Sequence, residues 1–342
     1  MAKSAAIAAL IVGCAGTVLN EDELRFLAER NPWGLILFRR NCETPDQVRA
    51  LTTRFREAVG RRNAPIFIDQ EGGRVQRLGP PSNSWRQYPP ARRYGELMDR
   101  EPIAGLRAAR RVGRLMAQDL LDLGITVDCL PVLDVPQSGS HDIIGDRAYG
   151  TTPERVIALA RAHMAGLLEG GVLPVIKHIP GHGRARADSH LSLAIVDAGR
   201  QDLEAVDFAP FAALADAPMA MTAHVVYAAI DKRSPATLSR TVISRVIRKE
   251  IGFDGLLISD DLSMKALSGS LGDRGRAARR AGCDMLLHCN GNLDEMREVA
   301  DAAGRLIGKA ARRARAALRL ARRPQPFDKK AALKDLDTLV SA

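Results

Sequence analysis

Eight short apolar runs separated by helical patterns constrain the fold more than any other feature of this sequence. Most runs are continuous rather than alternating, which is typical of parallel strands covered on both faces. The runs are Ala6 to Val12, Gly34 to Phe38, Pro65 to Ile68, Ile125 to Val132, Val172 to Ile176, Met219 to Val226, Gly255 to Ile258 and Met285 to Leu287. Strands that alternate with helices over about 300 residues predict an α/β fold, a single-domain (β/α)8 TIM barrel.

The segments between the runs carry helix signals. An acidic start at Glu21, a capping box at Thr44 and the sequence Thr152-Pro153-Glu154 each predict a helix N-terminus. Further helices are predicted over Glu101 to Leu123, Leu203 to Leu214, Ser239 to Glu250, Arg274 to Ala281 and Leu293 to Ile307. An open doubly wound sheet is the alternative, but no glycine-rich dinucleotide fingerprint follows the first run. The Pro-rich stretch 79–90 is interpreted as a surface loop, so one barrel domain is expected over residues 1–308.

Positive charge is concentrated behind the predicted barrel. The chain has 50 Lys and Arg against 40 Asp and Glu, and seven of the cations fall in residues 309–323, which contain no acid. The sequence predicts a solvated helix in a basic C-terminal extension, residues 309–342. A surface for nucleic acid or another polyanion is the alternative. No interleaved aromatics or base-reading motif accompany the charges, so we expect no nucleic-acid partner.

The cysteines and the N-terminal segment indicate the cellular compartment of the protein. The five cysteines are irregularly spaced and none forms a CxxC pair, which indicates reduced thiols in a cytoplasmic protein. The first run, with Lys3 before it and Cys14 after it, also resembles a short signal peptide that ends in a lipobox. The run is short and its charged start is a single lysine, so a strand is favoured. No segment approaches the roughly 18 apolar residues of a spanning helix, and we expect no membrane insertion.

Polar residues cluster where the apolar runs end, which is the edge at which a barrel collects its chemistry. Asp, Arg, Lys and His cost more to desolvate than the neutral side chains that suffice for helix capping, so the clusters indicate a functional site. The clusters are Arg39-Arg40-Asn41, Asp69 to Arg74 with Arg77, Asp134 with Asp146-Arg147, Lys177-His178, His224, Ser259-Asp260-Asp261 and His288-Cys289-Asn290.

The loop after the fifth run, residues 177–190, holds three of the chain's seven histidines. Asp188 is close enough in sequence to orient His190, and such a carboxylate fixes the tautomer of a histidine and makes it a better general base. The alternative is a metal site made of His178, His182 and His190. It lacks an HExxH helix or another defined ligand spacing, so we expect no metal. His182 can instead tie the loop to the rim.

Two adjacent acids, Asp260 and Asp261, end the seventh run. Neighbouring side chains at a strand end point in different directions. One carboxylate can face the barrel axis, where Arg and Lys would keep it ionised as a nucleophile requires. The other can cap the next helix or bind an arginine.

Three of these segments resemble the motifs of family-3 glycoside hydrolases. Residues 177–190 resemble the signature K-H-F-P-G-H-G…D-S-H, residues 69–77 resemble D-Q-E-G-G-R-V-x-R, and residues 259–264 resemble the nucleophile segment. Shorter agreements at 34–38, 131–135 and 281–284 extend the resemblance over about residues 10 to 300. It is greatest to the single-domain bacterial β-N-acetylglucosaminidases of peptidoglycan recycling.

The resemblance implies a TIM barrel and a retaining mechanism through a covalent glycosyl-enzyme. By resemblance Asp260 is the nucleophile, and His190, paired with Asp188, is the general acid/base in place of the usual second carboxylate. It also implies that the hydroxyls and acetamide of N-acetylglucosamine are bound by Asp69, Arg77, Arg147, Lys177 and His178.

The implied substrate is N-acetylglucosamine β-1,4-linked to 1,6-anhydro-N-acetylmuramic acid, often with a peptide. No cofactor or metal is implied, and we expect a monomer. The sequence departs from the family pattern at Ile179, where the family has Phe, and at Arg184-Ala185, where many members have Asp-Thr. Two alternatives stay open: a glycoside phosphorylase that uses the same dyad, and a sugar-binding barrel without catalysis.

Overall fold

The apolar runs form eight parallel strands that close into a barrel, which confirms the predicted (β/α)8 architecture. The computed structural model describes residues 6–80, 85–185 and 193–341. Neighbouring strands follow chain order around the barrel, and β8 pairs with β1 to close it. In chain order, β1 to β8 are Ala8–Val12, Pro32–Leu37, Ile66–Ile68, Val127–Asp128, Leu173–Ile179, Met219–Thr222, Leu256–Asp261 and Met285–His288.

Helices surround the barrel and connect its strands. The first begins with a capping box in which the Asn20 side chain accepts from the Glu23 N–H, and the Glu23 carboxylate accepts from the Asn20 N–H, both at 2.9 Å. The helices are Glu21–Arg30, Pro45–Ala58, Ala91–Arg100, Pro102–Leu121, Pro153–Glu169, the continuous turns Arg200–Asp202, Leu203–Phe208 and Ala209–Ala213, then Val242–Glu250, Leu271–Ala281, Leu293–Ala303, Gly308–Arg319 and Lys329–Ser341.

The barrel strands are buried on both faces, which is why their sequences are continuously apolar. In β1, Ile11 packs with the interior of the barrel, whereas Leu10 packs between the strands and the helices. The same alternation holds in β2, where Ile36 faces the interior and Leu35 the helices. Except for the short β4, which is Val127 followed by the buried Asp128, each strand therefore contributes to two apolar layers, and polar groups collect at the strand ends.

Several predicted boundaries are wrong in detail. β4 covers only Val127–Asp128, although the run extends from 125 to 132; Pro131 has no N–H to donate, and pairing resumes with a single bridge between Val132 and Lys177. The sixth run divides into β6 and the separate strand Val225–Tyr227, which pairs outside the barrel with Ala194–Val196. The helix after Leu293 ends at Ala303, since Gly304 adopts a φ of 64°.

The helix Gly308–Arg319 covers the end of the barrel opposite the carboxyl ends of the strands. Its buried Ala314 and Ala317 pack with the interior cluster, and Arg313 pairs with Asp254 and Asp284. The other cations of the segment are exposed: Lys309, Arg312, Arg315, Arg319, Arg322 and Arg323. Among the helices that the structure describes, none combines the length and apolar character needed to cross a membrane.

Candidate active site

A cavity of about 370 Å³ opens at the carboxyl ends of the barrel strands. Asp69 follows β3, Lys177 and His178 lie in β5, and Asp260 lies in β7. Four residues from the ends of three strands therefore meet at this cavity. Apolar side chains complete the lining, among them Ile36, Phe38, Ile144, Met221, Met264 and Leu287. Polar residues predicted at several separate strand ends thus converge on one cavity, whereas Arg39, Arg40, Asn41 and His224 do not line it.

Five charged side chains alternate in sign along one wall of this cavity, and we call them the charge cluster. Lys177 Nζ lies 2.8 Å from Asp69 Oδ1 and 2.6 Å from Glu71 Oε1. Arg77 Nη2 donates to Asp69 Oδ2 at 2.9 Å. Arg147 holds Glu71 with two bonds, at 2.7 Å from Nε and 2.9 Å from Nη2. The cluster links segments far apart in the chain and presents fixed donors and acceptors to the cavity.

Mutual pairing keeps the charge cluster ionised. Burial alone would raise the pKa of Asp69, but Lys177 and Arg77 hold that pKa below its usual value. Burial likewise opposes ionisation of Glu71, yet Arg147 and Lys177 lower its pKa to about 2. The pKa of Lys177 is raised by the two carboxylates despite its burial. At neutral pH the cluster therefore carries three cations and two anions.

Asp134 orients two histidines at the base of the loop that follows β5. Its Oδ2 accepts from His178 Nδ1 at 2.7 Å, which fixes the His178 tautomer and leaves Nε2 as the other ring nitrogen. Its Oδ1 accepts from the backbone N–H of His182 at 2.6 Å. Burial, and after it the neighbouring His178, lowers the pKa of His182 to about 4, so this ring is neutral at neutral pH.

The carboxylates of the adjacent acids at the end of β7 have different contacts, and those of Asp261 are with Ser263 and Cys289 rather than the predicted helix N-terminus or arginine. The Asp261 carboxylate accepts from the Ser263 hydroxyl at 2.5 Å and from the backbone N–H groups of Ser263 and Cys289, both at 3.1 Å. Asp261 also lines the cavity, but both of its carboxylate oxygens accept hydrogen bonds that hold the local backbone. The Asp260 carboxylate lines the cavity, and its Oδ1 accepts from the Asp261 N–H at 2.8 Å, which restricts its rotation.

Asp188 and His190 lie outside the residues that the structure describes, so their expected pairing stays a prediction. The chain up to Ala185 is described. The backbone at Gly183 passes so close to Val135 that an added Cβ would lie 2.1 Å from its carbonyl oxygen. Arg184 Nε donates to Asp207 Oδ2 at 2.6 Å, so a residue that departs from the family pattern has a definite partner.

The alternative of a metal site made of His178, His182 and His190 includes a residue outside the described part of the chain. Within residues 6–80, 85–185 and 193–341, no group of three or more His, Cys, Asp or Glu side chains is arranged to hold a metal ion. The rings of His178 and His182 lie edge to face with their centroids 5.7 Å apart, and Asp134 accepts from the His178 ring and from the His182 backbone N–H.

Sequence reasoning did not assign a site role to Glu71, Asp134 or Arg74. Glu71 and Asp134 lie in the strand-end clusters, and this position was the sequence signal that could have identified them. Their pairing was not predictable because their partners are 44 to 106 residues away in the chain. Arg74 pairs with Asp146 at 3.0 Å and donates to the Ile144 carbonyl at 3.2 Å. It therefore holds the loop that forms one side of the cavity.

Known proteins are similar to this chain in sequence and in fold. Residues 7–322 match the model described as the glycosyl hydrolase family 3 N terminal domain. Two curated relatives are both named beta-hexosaminidase. That of Alkalilimnicola ehrlichii is 42% identical over 285 residues, covering 82% of this chain and 80% of the relative. That of Methylococcus capsulatus is 43% identical over 279 residues, covering 80% of each.

Among solved structures, NagZ from Neisseria gonorrhoeae in complex with N-trifluoroacetyl-D-glucosamine superposes with a TM-score of 0.88 at 32% identity and covers 99% of both chains. Beta-N-acetylhexosaminidase from Beutenbergia cavernae superposes with a TM-score of 0.76 at 29% identity, covering 90% of this chain and 96% of that one.

Proposed function

The chain belongs to glycosyl hydrolase family 3, and on that premise we propose that it is a retaining exo-β-N-acetylglucosaminidase of cytoplasmic cell-wall recycling. Its activity is that of a β-hexosaminidase, the name carried by curated relatives at 42% and 43% identity. The proposed substrate is a muropeptide, in which N-acetylglucosamine is β-1,4-linked to 1,6-anhydro-N-acetylmuramic acid. The observation that carries the proposal is the Asp260 carboxylate, held in a cavity beside the charge cluster.

The shape and lining of the cavity support exo-acting removal of one sugar. Its volume of about 370 Å³ lies at the small end of the usual range for ligand sites. In the proposed complex, the ionised Asp69 accepts hydrogen bonds from sugar hydroxyls, while Lys177, Arg77 and Arg147 donate. His178, oriented by Asp134, adds a further polar contact. Charge-assisted bonds of this kind hold a polar ring without aromatic stacking.

The proposed reaction has two displacement steps at the anomeric carbon. In the first, an Asp260 oxygen bonds to C1 while the C1–O bond to the leaving sugar breaks, and His190 gives its proton to the departing oxygen. In the second, water attacks C1, its proton passes to His190, and the bond from Asp260 to C1 breaks. Asp188 would stabilise the imidazolium present before the first step and after the second.

The cytoplasmic part of the proposal is supported by the thiols. All five cysteines are free and buried, as in proteins that fold in a reducing compartment.

The proposed function is tested by the stereochemistry and acceptor of the reaction. With 4-nitrophenyl N-acetyl-β-glucosaminide, we expect proton NMR to show the β-anomer of N-acetylglucosamine as the first product, at a rate unaffected by phosphate. The matching β-glucoside should be a poor substrate. An α-anomer would contradict retention. Phosphate-dependent release of a sugar phosphate would favour the phosphorylase, and turnover of neither glycoside would favour a binding protein.

The acid/base role is tested by the leaving group. We expect His190→Ala to slow hydrolysis about 10²- to 10⁴-fold for poor leaving groups and far less for 4-nitrophenol or better ones, because only poor leaving groups need the proton. The measurement is a plot of log kcat/KM against leaving-group pKa for the wild type and the variant. An equal loss across the series would remove His190 from this role.

A further inference from the structure

A ring of buried hydrogen bonds ties the backbone of Asp260 and Asp261 to the neighbouring strand. The Asp260 N–H donates to Thr222 Oγ1 at 3.3 Å, and Thr222 Oγ1 lies 2.7 Å from Thr237 Oγ1. Thr237 Oγ1 lies 2.7 Å from His224 Nδ1, and His224 Nε2 lies 2.9 Å from the Asp261 carbonyl oxygen. We call these contacts the hydrogen-bond ring.

The chemistry of the groups sets the direction of every bond in the hydrogen-bond ring. A carbonyl oxygen only accepts, so His224 Nε2 carries a proton and donates to Asp261. Burial holds the pKa of His224 below its usual value, so the imidazole is neutral and Nδ1 accepts. Thr237 therefore donates to Nδ1, although its hydroxyl also lies 3.1 Å from the Ala223 carbonyl oxygen. Thr222 accepts from Asp260 and donates to Thr237.

The hydrogen-bond ring replaces strand pairing where that pairing stops. β7 pairs with β6 in register only up to Ile258, opposite Met221, and Asp260 lies two residues beyond that point. Its N–H would be left without a ladder partner, and Thr222 supplies one. On the opposite side, Ser259 Oγ accepts from the Leu287 N–H at 3.0 Å. The segment that carries Asp260 is thus held on one side by a side chain of β6. On the other side it is held through its own Ser259 hydroxyl to the backbone of β8.

The three side chains of the ring do not line the cavity. Thr222, His224 and Thr237 are completely buried, and they come from the end of β6, the residues just after it and the short helical turn Ala236–Leu238. They are therefore out of reach of a sugar bound in the cavity. Any effect on the reaction has to pass through the backbone of Asp260.

We infer that Thr222, His224 and Thr237 are positioning residues that hold the Asp260 carboxylate in line with the anomeric carbon. This rests on the proposed function, in which Asp260 is the nucleophile. A displacement of about 1 Å at a reacting group costs roughly 10²-fold in rate, so the removal of one hydroxyl behind the site has a measurable consequence. Ground-state sugar binding depends on the charge cluster and stays unchanged.

Thr237 offers an isosteric test. Thr237→Val keeps the shape of the side chain and removes the hydroxyl, whereas Thr237→Ser keeps the hydroxyl and loses a methyl group. We expect Thr237→Val to lower kcat for 4-nitrophenyl N-acetyl-β-glucosaminide by about 10- to 100-fold with KM within twofold. Thr237→Ser should stay within about threefold of the wild type. Calorimetric binding of N-acetylglucosamine should be the same in all three proteins.

His224 provides a second, independent pair of variants. The amide nitrogen of Gln reaches the place of imidazole Nε2 and can still donate to the Asp261 carbonyl, whereas the shorter Asn reaches only the place of Nδ1. We expect His224→Gln to retain at least tenfold more kcat than His224→Asn. Equal kcat in this pair would contradict the inference, whether or not the Thr237 variants fold.

Covalent labelling separates this inference from the proposed function. A 5-fluoro-N-acetyl-β-glucosaminyl fluoride should label Asp260 of the wild type, as read by mass spectrometry of the peptides. Thr237→Val should label at least tenfold more slowly. Equal labelling rates would overturn the positioning role while leaving Asp260 as the nucleophile. A label on another residue of the wild type would overturn the proposed function itself.

Equal losses of kcat in Thr237→Val and Thr237→Ser, in proportion to their losses of stability, would show that Thr237 has a purely structural role and would overturn the inference.

Discussion

Asp260→Ala should lower kcat by at least about 10⁴-fold without loss of the fold. The variant removes the group that is proposed to bond to C1, and loss of a nucleophile in an enzyme with a covalent intermediate has effects of this size. The side chain lines the cavity, and among its contacts is the adjacent Asp261 N–H, so we expect the urea unfolding midpoint to change little. The measurement is kcat with 4-nitrophenyl N-acetyl-β-glucosaminide.

Azide and the neighbouring acid make this prediction specific. Azide fits the space left by the carboxylate, and it should restore turnover of Asp260→Ala and give the α-glycosyl azide. Asp261→Asn is the matched control. Its carboxylate holds Ser263 and Cys289, so that variant should lose stability more than kcat. If the effects of the two variants were exchanged, Asp261 would be the better candidate for the nucleophile.

Lys177→Met should lower the free energy of unfolding by about 3–5 kcal/mol at pH 7. Lys177 is 2% exposed and lies between Asp69 and Glu71. Its removal leaves two neighbouring buried carboxylates with fewer positive charges to offset their desolvation and mutual repulsion. Urea unfolding of the wild type and the variant is the measurement. Lys309→Met removes an exposed cation and should change the value by no more than about 0.5 kcal/mol.

The pH dependence of that difference follows from the same groups. The folded-state pKa of Glu71 is lowered to about 2 from an ordinary value of 4.5, so its contribution is present above the ordinary value and is lost as the pH falls through the folded value. Without Lys177 this lowering is smaller. The stability gap between wild type and Lys177→Met should therefore be widest at neutral pH and shrink below about pH 4.5. A constant gap across this range would show that packing, not charge, causes the loss.

The barrel was predictable because its strands have two buried faces. Leu10 and Ile11 are adjacent in sequence and face opposite apolar layers, so the run that contains them is continuous and easily recognised. The helix Ala91–Arg100 was not predicted, because Gly95 weakens the helical pattern at its centre. The structure explains this glycine, since an added Cβ would lie 2.1 Å from the carbonyl oxygen of Tyr149.

The candidate site was predictable in position but not in pairing. Its residues follow apolar runs, and the barrel brings strand ends together whatever the side chains are. Which acid meets which base depends on distances across the barrel mouth. Glu71 and Lys177 are 106 positions apart and their charged atoms lie 2.6 Å apart, a contact that no local pattern encodes.

The helix Gly308–Arg319 places its exposed arginines where their field does not help an anionic substrate to enter the cavity. β7 alone spans six residues, or roughly 20 Å of barrel length, whereas charges are screened over about 8 Å at physiological ionic strength. Electrostatic steering of the proposed muropeptide substrate would therefore have to come from cations beside the mouth, such as Arg74. The association rate should then depend on charge changes there and hardly at all on Arg312 or Arg319, despite the net charge of +10.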